Sequence, residues 1–164
     1  MMVSSFKTEI EKLYEEYSDL LYRLALSHSA NAEDASDAVQ DVFLKYATSP
    51  RLFLDEEHRR AWFIRVTINR CNDIYRKNKV RDYTPLDELY DVPSEENGIS
   101  KALKEMLDSL PENFKSVIVL HYLEGFSVEE TANILKLSVS AVKMRLNRAR
   151  DFVKSSYNKE DFYD

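Results

Sequence analysis

The sequence predicts an all-α protein of two small helical domains joined by an acidic linker, and three observations predict it. Only two glycines and four prolines occur in 164 residues, so few positions interrupt a helix. Apolar residues recur at three- and four-residue spacing before residue 81 and after residue 101. Between them, residues 82–100 lose that period and hold Pro85, Pro93, Gly98 and six acidic residues without a basic one. The expected organisation is therefore a domain over 1–81, a linker over 82–100 and a domain over 101–164.

In the first domain, Phe6, Ile10, Leu13, Tyr14, Tyr17, Leu20, Leu21 and Leu24 predict an amphipathic helix over residues 6–28. Asn31 is placed to cap the next helix, with Glu33 and Asp34 near its positive end. Ala35, Ala38, Val39, Val42, Phe43 and Tyr46 form that helix's core stripe. Its outer strip carries Asp37, Gln40, Asp41 and Leu44, which puts an apolar side chain among acids. One exposed leucine is ordinary; a basic partner helix would also fit such a strip.

A loop containing Pro50 is expected over residues 48–57. The segment from Arg59 then places Trp62, Phe63, Ile64, Val66, Thr67, Cys71 and Ile74 over a broad apolar arc. Arg65, Asn69, Asn72 and Arg76 share a narrow polar strip, with Lys77, Lys79 and Arg81 just beyond. Trp62 reads as core. From Arg59 to Arg81 there are eight basic residues against Asp73 alone, a composition suited to a polyanion. Tyr75 and Tyr83 would suit unstacked bases.

In the second domain, Leu103, Met106, Leu107 and Leu110 predict a first helix, Pro111 opens the next at its first position, and Gly125 ends it. Ser127-x-x-Glu130 is a capping box, in which hydroxyl and carboxylate each satisfy a backbone N–H at a helix start. Thr131, Ala132, Ile134 and Leu135 carry that short helix to Lys136 and Leu137, after which Ser138 caps another. On this last helix Val142, Leu146, Ala149, Phe152 and Val153 share one face. Ser140, Lys143, Met144, Asn147 and Arg148 lie opposite, flanked by Arg145 and Arg150. Two helices across a short turn, the second with Lys, Asn and Arg outward, form a helix-turn-helix suited to the DNA major groove. Lys136 stands where this turn usually has glycine, and a left-handed lysine costs on the order of 1 kcal/mol.

Other chemistry finds little support. Cys71 is alone, which excludes an intramolecular disulfide and a Cys-based zinc site, and His28, His58 and His121 are too scattered for a metal. No Gly-rich phosphate loop or nucleophile arrangement is present, so neither enzyme activity nor a cofactor is expected. Without a long apolar run or a signal-peptide core, the expectation is a cytoplasmic protein that does not insert in membranes. The net charge of −6 argues against a nucleic-acid binder only until its distribution is considered. Lys143–Lys154 holds five basic residues against Asp151, and local patches govern phosphate binding.

Both halves resemble one family, the extracytoplasmic-function group of bacterial RNA polymerase sigma factors in the sigma-70 superfamily. NAEDASDAVQDVFLKY is similar to its polymerase-docking helix and AWFIRVTINRCNDIYRK to its promoter-melting segment, both in region 2. LDSLPENFKSVIVLHYLEGFSVEETANILKLSVSAVKMRLNRAR resembles region 4. The resemblance covers about two thirds of the chain, in the family's order, and is more specific than a helix-turn-helix alone.

The resemblance implies core RNA polymerase and promoter DNA as partners, and in many members an anti-sigma factor. Asp37, Gln40, Asp41 and Leu44 match the surface that docks on a coiled coil of the polymerase's largest subunit. Trp62 and Asn69 match the spacing at which the family captures a flipped non-template base, with Arg65 and Arg76 on flanking phosphates and Asn72 and Lys77 close by. The recognition helix maps onto Ser140–Arg150. Lys143, Met144, Asn147 and Arg148 are assigned to bases, and Arg145 and Arg150 to phosphates. The competing reading is a stand-alone helix-turn-helix regulator on an operator, which leaves the Asp37 strip and the Arg59–Arg81 patch without a role.

Overall fold

A computed structural model gives the fold of residues 2–81 and 100–161, with side chains described for residues 6–78 and 100–156. The acidic linker and Tyr83 lie outside the described residues, as do the side chains of Lys79 and Arg81. Contacts divide the chain into two compact units, Met1–Gly98 and Ile99–Asp164. Among the described residues there are seven α-helices and no strand.

The first unit is built from α1 (Met2–His28), α2 (Ala32–Thr48) and α3 (Glu56–Arg81), each packed on the other two. Asn31 caps α2 as expected, its side-chain oxygen accepting the Asp34 N–H at 2.7 Å. Burial, opposed by a hydrogen bond from Asn78, raises the Asp34 carboxyl above its ordinary pKa. Asp55 begins α3, its carboxylate accepting the His58 N–H at 2.8 Å and its carbonyl the Arg59 N–H. The core is aromatic. The Phe63 ring lies 5.0 to 5.5 Å from Trp62, Tyr17, Phe43 and Tyr46, separations typical of favourable ring pairs. Trp62 is 2% exposed, which places it in the core. Tyr14 departs from its predicted place in the stripe. It is half exposed and meets Phe43 with the two rings tilted, 5.0 Å between centroids, because alternating three- and four-residue steps span a wider arc than the seam that is covered.

The second unit comprises α4 (Lys101–Ser109), α5 (Glu112–Ile118) with a π-helical turn over Val119–Leu123, α6 (Val128–Leu135) and α7 (Val139–Asp161). Ser100 caps α4 by accepting the Leu103 N–H. Pro111 precedes α5 as its cap rather than opening it. With ψ at 148° the proline is extended, and its carbonyl already accepts from Phe114 and Lys115. Gly125 ends the π-helical segment at φ +79°, a backbone setting that disfavours any side chain. Leu107, Leu110, Val117, Val119, Leu120, Ala132, Ile134, Val142, Leu146 and Ala149 fill the interior.

Hydrophobic periodicity does not reveal the charges inside this unit. Lys104 and Lys115, each 6% exposed, converge on Asp108, with Nζ to Oδ1 distances of 3.0 and 3.3 Å. The carboxylate, itself partly exposed, bridges α4 to α5.

Candidate nucleic-acid interface

The α6–α7 pair is set by its caps. Ser127 Oγ accepts the Glu130 N–H and Glu130 Oε1 accepts the Ser127 N–H, both at 3.0 Å, which completes the capping box. Lys136 ends α6 in the left-handed region at φ 56°, ψ 46°, and lets the Leu137 N–H reach back to the Ala132 carbonyl at 2.9 Å. Ser138 then accepts the Ala141 N–H at 3.0 Å and starts α7. Upstream, the His121 Nδ1 hydrogen bond to the Phe126 carbonyl fixes the approach to α6.

Val142, Leu146 and Ala149 are buried and anchor α7 against α5 and α6. The opposite face holds Ser140, Lys143, Met144, Asn147, Arg148 and Arg150 exposed and Arg145 half-buried. Arg150 is not independent of its neighbours: it donates to the Tyr122 hydroxyl and to the Asn147 side-chain oxygen. Asn147 then has its amide donors for another acceptor, since its oxygen is already engaged. Phe152, expected on the buried stripe, is exposed and Val153 half-buried. Burial on that stripe stops at Ala149, where α7 runs past the residues that cover it.

On the first unit, α3 turns Asn69, Arg76 and Lys77 to solvent, with Arg65 and Asn72 half-buried. Burial, aided by the nearby Arg51 charge, holds the Arg65 guanidinium below its ordinary pKa. Arg76 lies 3.4 Å from Asp73. On α2, Asp37, Gln40 and Leu44 are exposed, Leu44 by 61%. Asp41 corrects the picture of a uniform exposed strip: it is half-buried, and its Oδ2 accepts from Arg70 Nε at 2.8 Å. A cleft of about 130 Å³ separates α2 from α3 at this point, with Val42 and Val66 as its apolar lining and Lys45, Asn69 and Asp73 around the pair. Sequence reasoning missed Arg70 because helical projection sets it inside the apolar arc, between Val66 and Phe63, away from the Arg65–Asn69–Asn72–Arg76 strip.

Residues 13–81 match the family model described as Sigma-70 region 2, and residues 100–153 the one described as Sigma-70, region 4. RNA polymerase sigma factor SigV of Bacillus subtilis is 33% identical over 143 residues, covering 85% of this chain and 86% of the relative. The chain belongs to the extracytoplasmic-function sigma factors. ECF RNA polymerase sigma factor SigM of Mycobacterium tuberculosis is 29% identical to this sigma factor over 150 residues, covering 90% of it and 76% of the relative. Among solved structures, CnrH in complex with the cytosolic domain of CnrY superposes with a TM-score of 0.67 at 26% identity, over 93% and 90% of the two chains. Sigma factor RpoE, in complex with the anti-sigma factor NepR from Bartonella quintana, shares the sigma factor's fold with a TM-score of 0.67 at 24% identity, over 92% and 95%. Among the described residues, no helix is long and apolar enough to cross a membrane.

Proposed function

We propose that this sigma factor directs core RNA polymerase to promoters by dividing the contacts among three helices. On α2, Asp37, Gln40, Asp41 and Leu44 dock on polymerase. On α3, Asn69 receives a base displaced from the duplex, Arg65, Arg76 and Lys77 attract the adjoining phosphates, and Asn72 lies beside them. On α7, Lys143, Met144, Asn147 and Arg148 read the upstream element, with Arg145 and Arg150 on its backbone and Ser140 near the helix start. The observation that carries this reading is the exposure of Asn69 on a region 2 helix together with Lys143, Asn147 and Arg148 on a region 4 helix of the same chain.

The chemistry follows from each surface. Unstacking a base costs a few kcal/mol, and the amide of Asn69 supplies both a donor and an acceptor to its exposed edge. Met144, 45% exposed, offers apolar contact of the kind a thymine methyl accepts. Neither DNA surface needs to be strong alone. Polymerase holds the chain, and linkage converts the second contact into an intramolecular event at high effective concentration. Catalysis belongs to the polymerase in this scheme. The domain limits 1–81 and 101–164, with the linker between, and a cytoplasmic location belong to the same proposal, as does a silencing protein partner. CnrH, bound to a cytosolic domain, gives precedent for such a complex.

Run-off transcription with core polymerase tests the proposal. Added chain should make core start at one defined site on a responsive promoter, and Asp37→Lys/Asp41→Lys should abolish both the start and the capture of core. Unaltered capture by that double variant would overturn the docking assignment. Tight, specific promoter binding without core would overturn the division of contacts.

A further inference from the structure

Asp41 belongs to the proposed docking strip, yet its carboxylate is occupied from within by Arg70 of α3. Arg70 follows Asn69, the residue proposed to receive the displaced base, and both line the cleft between α2 and α3. One ion pair therefore joins the polymerase-facing helix to the promoter-facing helix. Both side chains keep 37% to 40% of their surface in water, so the pair is accessible and inexpensive to exchange. A basic partner docking on Asp37 and Asp41 offers Asp41 a replacement cation at little net cost.

We propose that the Arg70–Asp41 pair is a latch that polymerase docking opens, and that Arg70 is a further promoter contact, held away from DNA in the unbound chain. This inference rests on the docking and melting roles proposed above. Once Asp41 turns to the polymerase, the Arg70 guanidinium loses its counter-ion beside Asn69 and Lys45, and the carboxylate left in the cleft, Asp73, is already shared with Arg76. A strand phosphate then becomes its best partner. Linkage runs both ways: DNA that captures Arg70 frees Asp41 for polymerase, so each ligand strengthens the other. The latch also accounts for a chain that engages promoter strands only in the holoenzyme, without any large movement of helices.

The test measures binding of a fluorescent single-stranded oligonucleotide, carrying a non-template promoter sequence, to the full chain and to its complex with core. Asp41→Asn should raise the unbound chain's affinity about three- to fivefold. Asp37→Asn, which removes the same charge from the same helix without touching Arg70, should give a smaller gain. Adding Arg70→Gln to Asp41→Asn should erase the excess. Arg70→Gln alone should weaken the unbound chain only by a charge effect as small as the gain from Asp37→Asn, but should weaken the complex with core several-fold more and lower its salt dependence by about one phosphate contact. That split keeps the proposal falsifiable even if circular dichroism shows Asp41→Asn to be misfolded. Equal gains from Asp41→Asn and Asp37→Asn, or equal effects of Arg70→Gln with and without core, would overturn the latch. Asn69→Ala separates this from the underlying reading. If it impairs promoter opening while Asp41→Asn behaves as Asp37→Asn, the latch fails alone; if it has no effect on opening, the melting assignment fails.

Discussion

The two units handle charge in opposite ways. In the first, the described buried residues include no Lys, Arg, Asp or Glu, while on the outer strips Arg70 is paired with Asp41 and Arg76 with Asp73. In the second, two lysines and an aspartate are packed between helices, while Lys143 and Arg148 are exposed and form no ion pair among the described residues. The difference separates where charge supports the fold from where it is available to a ligand. A paired exterior responds to whatever competes for its partner, so its function depends on the state of the assembly. An unpaired exterior offers its charge to phosphate at all times, and its interior pairs then become a matter of stability.

The largest effect that could break this comparison is at Asp108. Asp108→Ala removes the carboxylate that the buried Lys104 and Lys115 share, and should destabilise the second unit by about 2 kcal/mol, as loss of charge-assisted hydrogen bonds does. Asp41→Ala removes a pair of similar geometry from the exposed cleft, and should cost under about 1 kcal/mol. Denaturant unfolding of the full chain, followed with probes in each unit, measures both. Comparable losses at the two positions would show that burial does not distinguish the pairs.

The next effect is on binding. In the holoenzyme, Lys143→Ala or Arg148→Ala should each weaken binding of the upstream duplex about tenfold, and a residue on phosphate should also lower the salt slope by about one. Arg76→Ala should weaken single-strand binding less, because Asp73 already neutralises part of that charge. Titrations at several salt concentrations decide it. If Arg76→Ala proved the more damaging change, pairing would not be what sets availability.

Much of this organisation was legible in the sequence, and particular residues show why the rest was not. Asn31, Ser127, Glu130 and Ser138 were readable as caps because capping depends on neighbours within three residues. The faces of α2 and α7 followed from period alone as far as their packing partners extend. Phe152 was misplaced because the stripe continues beyond the helices that bury it. Asp41–Arg70 and the Lys104–Asp108–Lys115 cluster were invisible for a different reason. Lys104 and Asp108 do stand at i,i+4 spacing on α4, but Asp41–Arg70 and Asp108–Lys115 join separate helices, and nothing in local spacing says which polar side chain meets another across an interface. The role of Asn69 came from motif resemblance; the cationic outer face of α7 was readable from period and composition, and the resemblance added which of its residues meet bases and which phosphates.

The smallest expected effect is also the most local. Lys136 adopts φ 56° to turn α6 into α7, and Gly125 adopts φ +79° before α6, so one motif meets the same backbone demand in two ways. A left-handed lysine costs about 1 to 2 kcal/mol, whereas glycine brings roughly 0.5 to 1 kcal/mol of extra chain entropy to lose. Lys136→Gly should therefore stabilise the second unit by only about 0.5 kcal/mol, the difference between those terms. Gly125→Ala should destabilise it by about as much, since an added Cβ meets nothing within 4 Å and only the dihedral resists it. Thermal unfolding of both variants reads the sign directly. A loss at Lys136→Gly would mean that the lysine side chain contributes to the turn, and that the exterior of this unit is less independent of its fold than the contrast with the first unit implies.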